Sequence, residues 1–139
     1  MKQTTRMIAI ALGTFLLAAL PAKAEVRITI PFDFLVGEVS LPSGTYSVVR
    51  TGAACSLLQL RNKQGKGDAV AAINSVQSSR EAVSDKDKLV FHRYGSRYFL
   101  AQFWMHGSSV GFQLPKSKAE RQISKTLPEP NTEILTASK

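Results

Sequence analysis

Apolar and polar residues alternate along much of this chain, as they do in half-buried β-strands. Residues 26–30 (VRITI) alternate strictly. Glycine and proline mark turns at residues 41–45 (LPSGT) and 62–68 (NKQGKGD). The pattern predicts about seven or eight short strands, among them the apolar-rich segments 26–30, 32–36, 46–50, 56–61, 69–76 and 110–114.

The clearest local signal is a β-hairpin at residues 88–104. Gly95 and Ser96 separate two runs rich in aromatic and β-branched residues, which is typical of a two-residue hairpin turn. This turn predicts four cross-strand pairs: Tyr94 with Arg97, Arg93 with Tyr98, His92 with Phe99 and Phe91 with Leu100.

Period-two alternation divides the hairpin into two faces, and both are largely apolar. We therefore expect one face to pack in a core and the other to lie under a lid or a second layer. The first face is predicted to carry Leu89, Phe91, Arg93, Tyr98, Leu100, Gln102 and Trp104. The second is predicted to carry Val90, His92, Tyr94, Arg97, Phe99, Ala101, Phe103 and Met105.

A short helix is predicted after the last of these strands. Ser117 and Glu120 have the spacing of a capping box, which predicts a helix over residues 118–125 that serves as a candidate lid. Two prolines follow it, and residues 128–139 are predicted to form a flexible tail. One side of the helix is predicted to consist of Ala119, Gln122 and Ile123.

The first 24 residues have the layout of a secretory signal peptide. Two basic residues precede an apolar run at residues 7–20, and an Ala-x-Ala cleavage site ends at Ala24. This run is shorter than the roughly 20 residues that a spanning helix needs. We therefore expect a signal helix within residues 1–24 and an exported β-rich domain at 25–127, placed in the periplasm or outside the cell.

The predicted fold class is all-β. We expect an antiparallel meander that forms a small barrel or a sandwich, with the short helix at its C-terminal end. The sequence leaves barrel and sandwich as alternatives. The length of 139 residues suits one domain of this kind.

Composition excludes several kinds of site. One cysteine and two histidines rule out a disulfide framework within the chain and a cysteine-built zinc site. Cys55 is expected to be a small buried residue, with an intermolecular disulfide as the alternative. We predict no catalytic, metal-binding or cofactor-binding residues, because the spacing of the residues indicates no such set. The sets considered are a nucleophilic one, Cys55 with His92 and Asp33, and a pair of carboxylates drawn from Asp33, Glu38 and Asp68.

The hairpin also carries the side chains of this sequence that are most typical of a ligand-binding site. Tyrosine and tryptophan rings offer flat faces to sugars or aryl groups, and arginine offers forked donors to carboxylates. The alternative is structural: arginine lies over tyrosine across the strands, and histidine packs against an acceptor. The candidate ligand-contacting residues are His92, Arg93, Tyr94, Arg97, Tyr98 and Trp104.

The formal net charge is +8, part of which lies in the signal peptide. Scattered basic residues indicate first a solvated surface and second an attraction to anionic envelope polymers. Nucleic acid is not expected, because export removes that target and no basic–aromatic binding motif occurs. We expect membrane contact only through the signal peptide before cleavage. The basic residues concerned are Lys63, Lys66, Lys116, Lys118, Arg121 and Lys125.

Four motifs occur together in this chain: residues 30–46 (IPFDFLVGEVSLPSGTY), residues 88–100 (KLVFHRYGSRYFL), Trp104 and residues 114–121 (LPKSKAER). In this order they resemble a group of small exported proteins of soil bacteria that has no assigned activity. The resemblance implies export and a compact β fold, and it implies no chemistry.

These observations lead to one main hypothesis and two alternatives. The main hypothesis is an exported non-enzymatic β-domain that is a binding or structural component of the cell envelope or extracellular space. One alternative is a lipocalin-like carrier of a small apolar ligand, which an interior cavity of about 300 Å³ would favour. The other is a hydrolase, which requires two acids, or Cys55 and a histidine, within hydrogen-bond reach.

Overall fold

The computed structural model describes residues 25–77, 85–127 and 129–137. Within these ranges the protein is mostly β-structure, as the sequence predicts. The expected signal peptide at residues 1–24 lies outside the described residues. In the described part, no helix has the length and apolar character of a segment that crosses a bilayer.

The described residues form eleven strands, more than the seven or eight predicted, together with one 3₁₀ turn and one α-helix. The strand predicted at residues 69–76, for example, is divided at Ile73 into two strands that belong to different sheets. The first part of the chain forms β1 (Val26–Ile30), β2 (Phe34–Val36), β3 (Val39–Leu41), β4 (Gly44–Thr51), the 3₁₀ turn Ala53–Cys55, β5 (Leu57–Asn62), β6 (Asp68–Ala72) and β7 (Asn74–Gln77). The second part forms β8 (Lys88–Tyr94), β9 (Arg97–Trp104), β10 (Val110–Gln113), α1 (Lys118–Thr126) and β11 (Asn131–Thr136).

These strands make two sheets and not one closed barrel. The first sheet has the order β1-β4-β5-β6, and the second has the order β11-β8-β9-β10-β7, with β2 also paired to β9 and β3 paired to β2. Neighbouring strands are antiparallel apart from β2 and β9, which are parallel where Leu35 meets Phe99. The predicted meander holds for β4–β6 and β8–β10, whereas β1, β7 and β11 pair with strands that do not adjoin them in the chain. Of the two predicted architectures, the sandwich is the one that these sheets match.

One hydrophobic core lies between the two sheets. In β1 the buried residues alternate with exposed ones, which is the period-two pattern of the sequence. Ile28 and Leu60 enter the core from the first sheet, and Phe34, Phe91 and Phe103 enter it from the second. Each of these five side chains is 2% exposed or less, so the middle of the sandwich is filled.

The turn before β4 is fixed by Tyr46. Its ring is fully buried, and its hydroxyl donates a hydrogen bond of 2.6 Å to the carbonyl oxygen of Pro42. A buried phenol needs such a partner, and a bond to the chain just upstream also fixes the path of the turn. This bond gives a physical reason for the spacing in the segment LPSGTY, since the acceptor lies four residues before the tyrosine.

The hairpin of β8 and β9 has the predicted register around its turn. All four predicted pairs are present, from Tyr94 with Arg97 to Phe91 with Leu100. The register then shifts between Val90 and Phe91, where Ala101 is the extra residue of a β-bulge on β9.

Beyond this bulge the predicted faces of the β9 residues are wrong. Leu89 is opposite Phe103, and both lie in the core, although the sequence analysis placed Phe103 on the other face. Trp104 is correspondingly opposite Lys88, and Gln102 is opposite Val90. The reason is that one inserted residue reverses the alternation on which the prediction depended.

The other face of the hairpin lies partly under α1, as predicted. Tyr94 and Phe99 on this face are each 2% exposed, and Glu120 of α1 contacts Tyr94. The predicted N-cap is confirmed, because the backbone N–H of Glu120 donates a 3.0 Å hydrogen bond to Ser117 Oγ. The buried residue of the helix is Glu120, however, and not a member of the predicted apolar side formed by Ala119, Gln122 and Ile123.

The C-terminal segment corrects a second prediction. Residues 131–136 form β11 and pair with β8 along its length, so they are not a flexible tail. Leu135 packs against the core, and Glu133 reaches Arg93. A strand that is stabilised by a partner distant in sequence has little local signal of its own, which is why residues 128–139 had the appearance of a tail.

Candidate functional site

The six predicted ligand-contacting residues do not form one site. Arg93 and Tyr98 are paired on the core-facing side of the hairpin, whereas His92 and Tyr94 lie on the side that α1 covers. Trp104 lies at the far end of β9, beyond the bulge. These residues have several different structural partners.

His92 and Tyr94 converge on the buried carboxylate of Glu120. His92 Nδ1 lies 2.8 Å from Glu120 Oε1, and the Tyr94 hydroxyl donates to the same oxygen at 3.2 Å. Because an ionised carboxylate only accepts hydrogen bonds, His92 donates through its Nδ1–H. The Glu120 side chain is 4% exposed and that of His92 is 25% exposed. The arrangement fastens α1 to the second sheet, and it matches the structural interpretation of His92.

Burial and the Glu120 charge act together on Tyr94. Desolvation of the phenol is the larger cause, and the adjacent carboxylate adds to it by repulsion and by accepting the hydrogen bond, so that the pKa of Tyr94 is raised to about 12. Tyr94 therefore keeps its proton at neutral pH and remains a donor to Glu120. A tyrosine in this state does not act as a general base.

Arg93 and Tyr98 have structural partners as well. The Arg93 guanidinium lies 5.8 Å from the centre of the Tyr98 ring, donates through Nε to the carbonyl oxygen of Gly95 and pairs with Glu133 at 3.4 Å. The Tyr98 ring stacks on Phe32 with 3.7 Å between ring centres. These contacts are the cross-strand alternative that the sequence analysis set against ligand binding.

Trp104 lies flat against the backbone of β10. A Cβ atom on Gly111 would lie 2.5 Å from atoms of the indole ring, so only glycine fits below it. The indole N–H donates to Gln102 Oε1 at 3.0 Å, and Lys88 Nζ lies 5.6 Å from the ring centre. Arg97 remains at the exposed tip of the hairpin, 5.4 Å from the Phe99 ring centre.

The groups considered for catalysis have separate partners. Asp33 Oδ1 accepts a hydrogen bond from the backbone of Ser43, and His92 is bound by Glu120. Cys55 is exposed in the 3₁₀ turn, so the expectation that it is buried is wrong. Its backbone has a positive φ of 52°, as has that of Ala54 at 54°, and this turn carries the thiol outside the core.

The carboxylates considered as a pair are also apart in their contacts. Glu38 Oε1 accepts a 2.7 Å hydrogen bond from the backbone N–H of Lys118, at the start of α1. Asp68 Oδ2 lies 3.7 Å from Arg61 Nε on the neighbouring strand. Asp33 is bonded to the turn at Ser43. Each carboxylate therefore has a local structural partner.

A groove opens where the two sheets meet at one end of the sandwich, and we call it the end groove. It encloses about 350 Å³. Val26 and Val48 of the first sheet and Phe103 of the second form its floor, and Met105 lies beside them. Arg50, Gly52 and Cys55 lie at its margin, where β4 passes into the 3₁₀ turn.

Arg50 is the cation of the end groove. Its guanidinium carbon lies over the Phe112 ring of β10, 4.3 Å from the ring centre, so an aromatic side chain supports the cation. No carboxylate pairs with Arg50 among the described residues. A guanidinium that stacks through its face retains N–H donors at its edge for a planar anion.

A second open pocket, of about 460 Å³, lies near the start of β1 and includes Glu25, Asp87 and His106. His106 donates its backbone N–H to Asp87 Oδ1 at 2.8 Å, and its Nδ1 lies 3.1 Å from the same oxygen. Within the described ranges, no group of three or more histidine, cysteine, aspartate or glutamate side chains is placed to hold a metal ion. This pocket is lined mainly by charged side chains, in contrast to the end groove.

No protein-family model, curated protein or solved structure matches this chain.

Sequence reasoning missed the two most specific features of the structure. Glu120 was assigned only to the helix cap, although a carboxylate that follows a cap by three residues can also face a neighbouring sheet. The end groove has no sequence motif, because Arg50, Phe103 and Phe112 come from three strands. Only the pairing of the two sheets brings them together.

Proposed function

We propose that this chain is an exported, non-enzymatic β-domain that acts as a binding component of the cell envelope or extracellular space. The observation that carries the proposal is the end groove, in which an apolar floor of Val26, Val48 and Phe103 is combined with Arg50, a cation without a carboxylate partner in the described part of the chain. Small-molecule sites have this composition, with mostly apolar walls and a few polar groups that orient the ligand.

Export is supported by the match between the leader pattern and the start of the fold. The expected cleavage site follows Ala24, and β1 begins at Val26. Glu25, the first residue after the site, is bonded through its carboxylate to Lys63 at 2.7 Å. A chain that begins at Glu25 would therefore retain β1 and this contact.

A binding role without turnover is supported by the partners of the reactive groups. His92 donates its Nδ1–H to Glu120, and the side chain that shares this carboxylate is Tyr94, which keeps its proton and is not an attacking group. Nucleophilic catalysis needs a base next to the attacking group. Cys55 lies in the 3₁₀ turn at the end groove, whereas His92 lies between β8 and α1, so this thiol and His92 belong to different parts of the fold.

The lipocalin-like carrier is the second candidate, and the volume of about 350 Å³ is the observation in its favour. Such a carrier encloses its ligand between the strands. Here the middle of the sandwich is filled by Phe34, Phe91 and Phe103, and the open volume lies at one end. A ligand bound in a groove at the surface is therefore the better fit.

The proposal is tested by producing the full chain in a bacterium with a general secretion pathway. Mass spectrometry of the N-terminus should find Glu25 as the first residue, in the periplasmic or extracellular fraction. Retention of Met1 in the cytoplasmic fraction would contradict export.

The binding role is tested on the same purified protein. Organic extraction followed by mass spectrometry should recover a small molecule that stays bound through purification. Recovery of a molecule that the protein chemically converts on incubation would contradict the non-enzymatic role. Recovery of nothing above a protein-free control would contradict a retained ligand.

A further inference from the structure

We propose that the end groove binds an amphipathic carboxylate, a compound with one carboxylate and a short apolar chain. The carboxylate is bound by Arg50, and the apolar chain lies on Val26, Phe103 and Met105. This inference names the ligand class of the proposed binding role and rests on that role.

The apolar part of the ligand is indicated by the floor of the groove. Val48 and Phe103 are core residues that are 1% and 2% exposed, yet both line the groove. Met105 at its side has a flexible thioether that adapts to the shape of an apolar ligand. Burial of a ligand's apolar surface on this floor would stabilise the complex through the hydrophobic effect.

The anionic part is indicated by charge. Among the residues that the structure describes, those that line the groove include Arg50 and no aspartate or glutamate. The contact of Arg50 with Phe112 holds the guanidinium in place before a ligand arrives. The Arg50 side chain therefore loses less conformational entropy when it binds. Two parallel N–H···O hydrogen bonds from the guanidinium edge suit a carboxylate.

The size of the groove limits the ligand. A volume of about 350 Å³ is near the lower end of the range of small-molecule sites, which is about 300–1,000 Å³. A long lipid with two acyl chains does not fit such a volume. A compound with a single short chain and one charged end does fit. We therefore expect one anion to be bound by one guanidinium.

Isothermal titration calorimetry with octanoate and 1-octanol tests the proposal on the full chain. The two probes share an apolar chain, and only octanoate carries a charge. We expect octanoate to bind about tenfold more tightly than octanol, as expected for a charge-assisted hydrogen bond. Arg50→Gln should remove this preference and leave the affinity for octanol within about twofold.

Arg97→Gln is the matched control, because Arg97 also lies over a phenylalanine ring but is at the exposed tip of the hairpin, at the opposite end of β9 from Phe103. It should leave both affinities unchanged. The single cysteine gives a second measurement, since Cys55 lies at the margin of the groove. Octanoate should slow its alkylation by iodoacetamide several-fold in the wild type and less in Arg50→Gln, and this measurement does not depend on the heat of binding.

Equal affinities for octanoate and octanol, or an unchanged preference in Arg50→Gln, would overturn the proposed anion site. If neither probe binds while a molecule of another class is extracted from the purified protein, the ligand class is wrong and the binding role is retained. If neither probe binds and nothing is extracted, both proposals fail.

Discussion

Glu120 Oε1 lies 2.8 Å from His92 Nδ1 across the boundary between α1 and the second sheet. The same oxygen accepts a hydrogen bond from the Tyr94 hydroxyl, so one carboxylate supplies the polar contact between the helix and two side chains of β8. Because Glu120 is almost fully buried, its charge is stabilised mainly by these two donors and by the start of α1. The relationship explains why a charged residue, and not an apolar one, is the buried residue of this helix.

Replacement of Glu120 should therefore be costly. Glu120→Ala leaves the Tyr94 hydroxyl and the His92 Nδ1–H without an acceptor, and we expect it to lower the free energy of unfolding by about 2–4 kcal/mol. Glu133→Ala is the matched control, since Glu133 pairs with Arg93 on the same strand but is 40% exposed. Its cost should be about 0–1 kcal/mol. Urea unfolding measures both, and equal costs would contradict the assigned role of Glu120.

Tyr94 should make stability depend on pH in the alkaline range. Its pKa is raised from the ordinary value of 10 to about 12, so the folded protein keeps the proton between these values while the unfolded chain releases it. The free energy of unfolding should fall as pH rises through this window, by up to about 1.4 kcal/mol per pH unit.

Tyr94→Phe isolates this contribution from those of other groups. Both proteins are unfolded chemically at several pH values above about 9.5. The free energy of unfolding should decline less steeply with pH in the variant than in the wild type. Parallel declines would show that Tyr94 titrates normally.

The hydrogen bond from Tyr46 to Pro42 should stabilise the fold in addition to the contribution of the buried ring. Tyr46→Phe keeps the buried ring and removes the donor to the Pro42 carbonyl, and we expect a loss of about 1–2 kcal/mol in the free energy of unfolding. Tyr98→Phe is the control, because the contact of that ring is stacking on Phe32, which phenylalanine retains. Its effect should stay below about 0.5 kcal/mol. A larger loss in Tyr98→Phe than in Tyr46→Phe would refute this account of the turn.

The close contact between Trp104 and Gly111 should make the addition of a methyl group at position 111 destabilising. Gly111→Ala places Cβ 2.5 Å from the indole, so the ring must move, at a cost of about 1–3 kcal/mol. Fluorescence of this single tryptophan should change in the folded state. In a Trp104→Leu background the same substitution should be nearly neutral, and an equal cost in both backgrounds would rule out the contact as its cause.

The sequence predicts local pairing well and distant pairing poorly. The register around Gly95 and Ser96 was predicted because a two-residue turn sets the pairing of the residues next to it. The bulge at Ala101 was not, since it depends on how β9 meets β8 and β10 and not on a residue type that marks bulges. β11 was missed for a related reason: its partner β8 lies about 40 residues earlier in the chain.

The candidate site was predicted less well than the fold. The six chosen side chains were selected for their chemistry, and the structure gives most of them structural partners. Arg50 was not singled out in the sequence analysis, because nothing in the sequence shows that Phe103 and Phe112 lie beside it. Sites built between two sheets depend on the long-range arrangement, which local patterns do not encode.

The most direct test of the end groove is a methyl NMR titration with octanoate on protein labelled at its methionine methyl groups. The chain has three methionines, Met1, Met7 and Met105, and Met105 is identified by the loss of its signal in Met105→Leu. We expect the Met105 signal to shift in a saturable way, and Arg50→Gln to need about tenfold more octanoate for the same shift. A Met105 signal that does not move at octanoate concentrations where calorimetry records saturation would contradict binding in this groove.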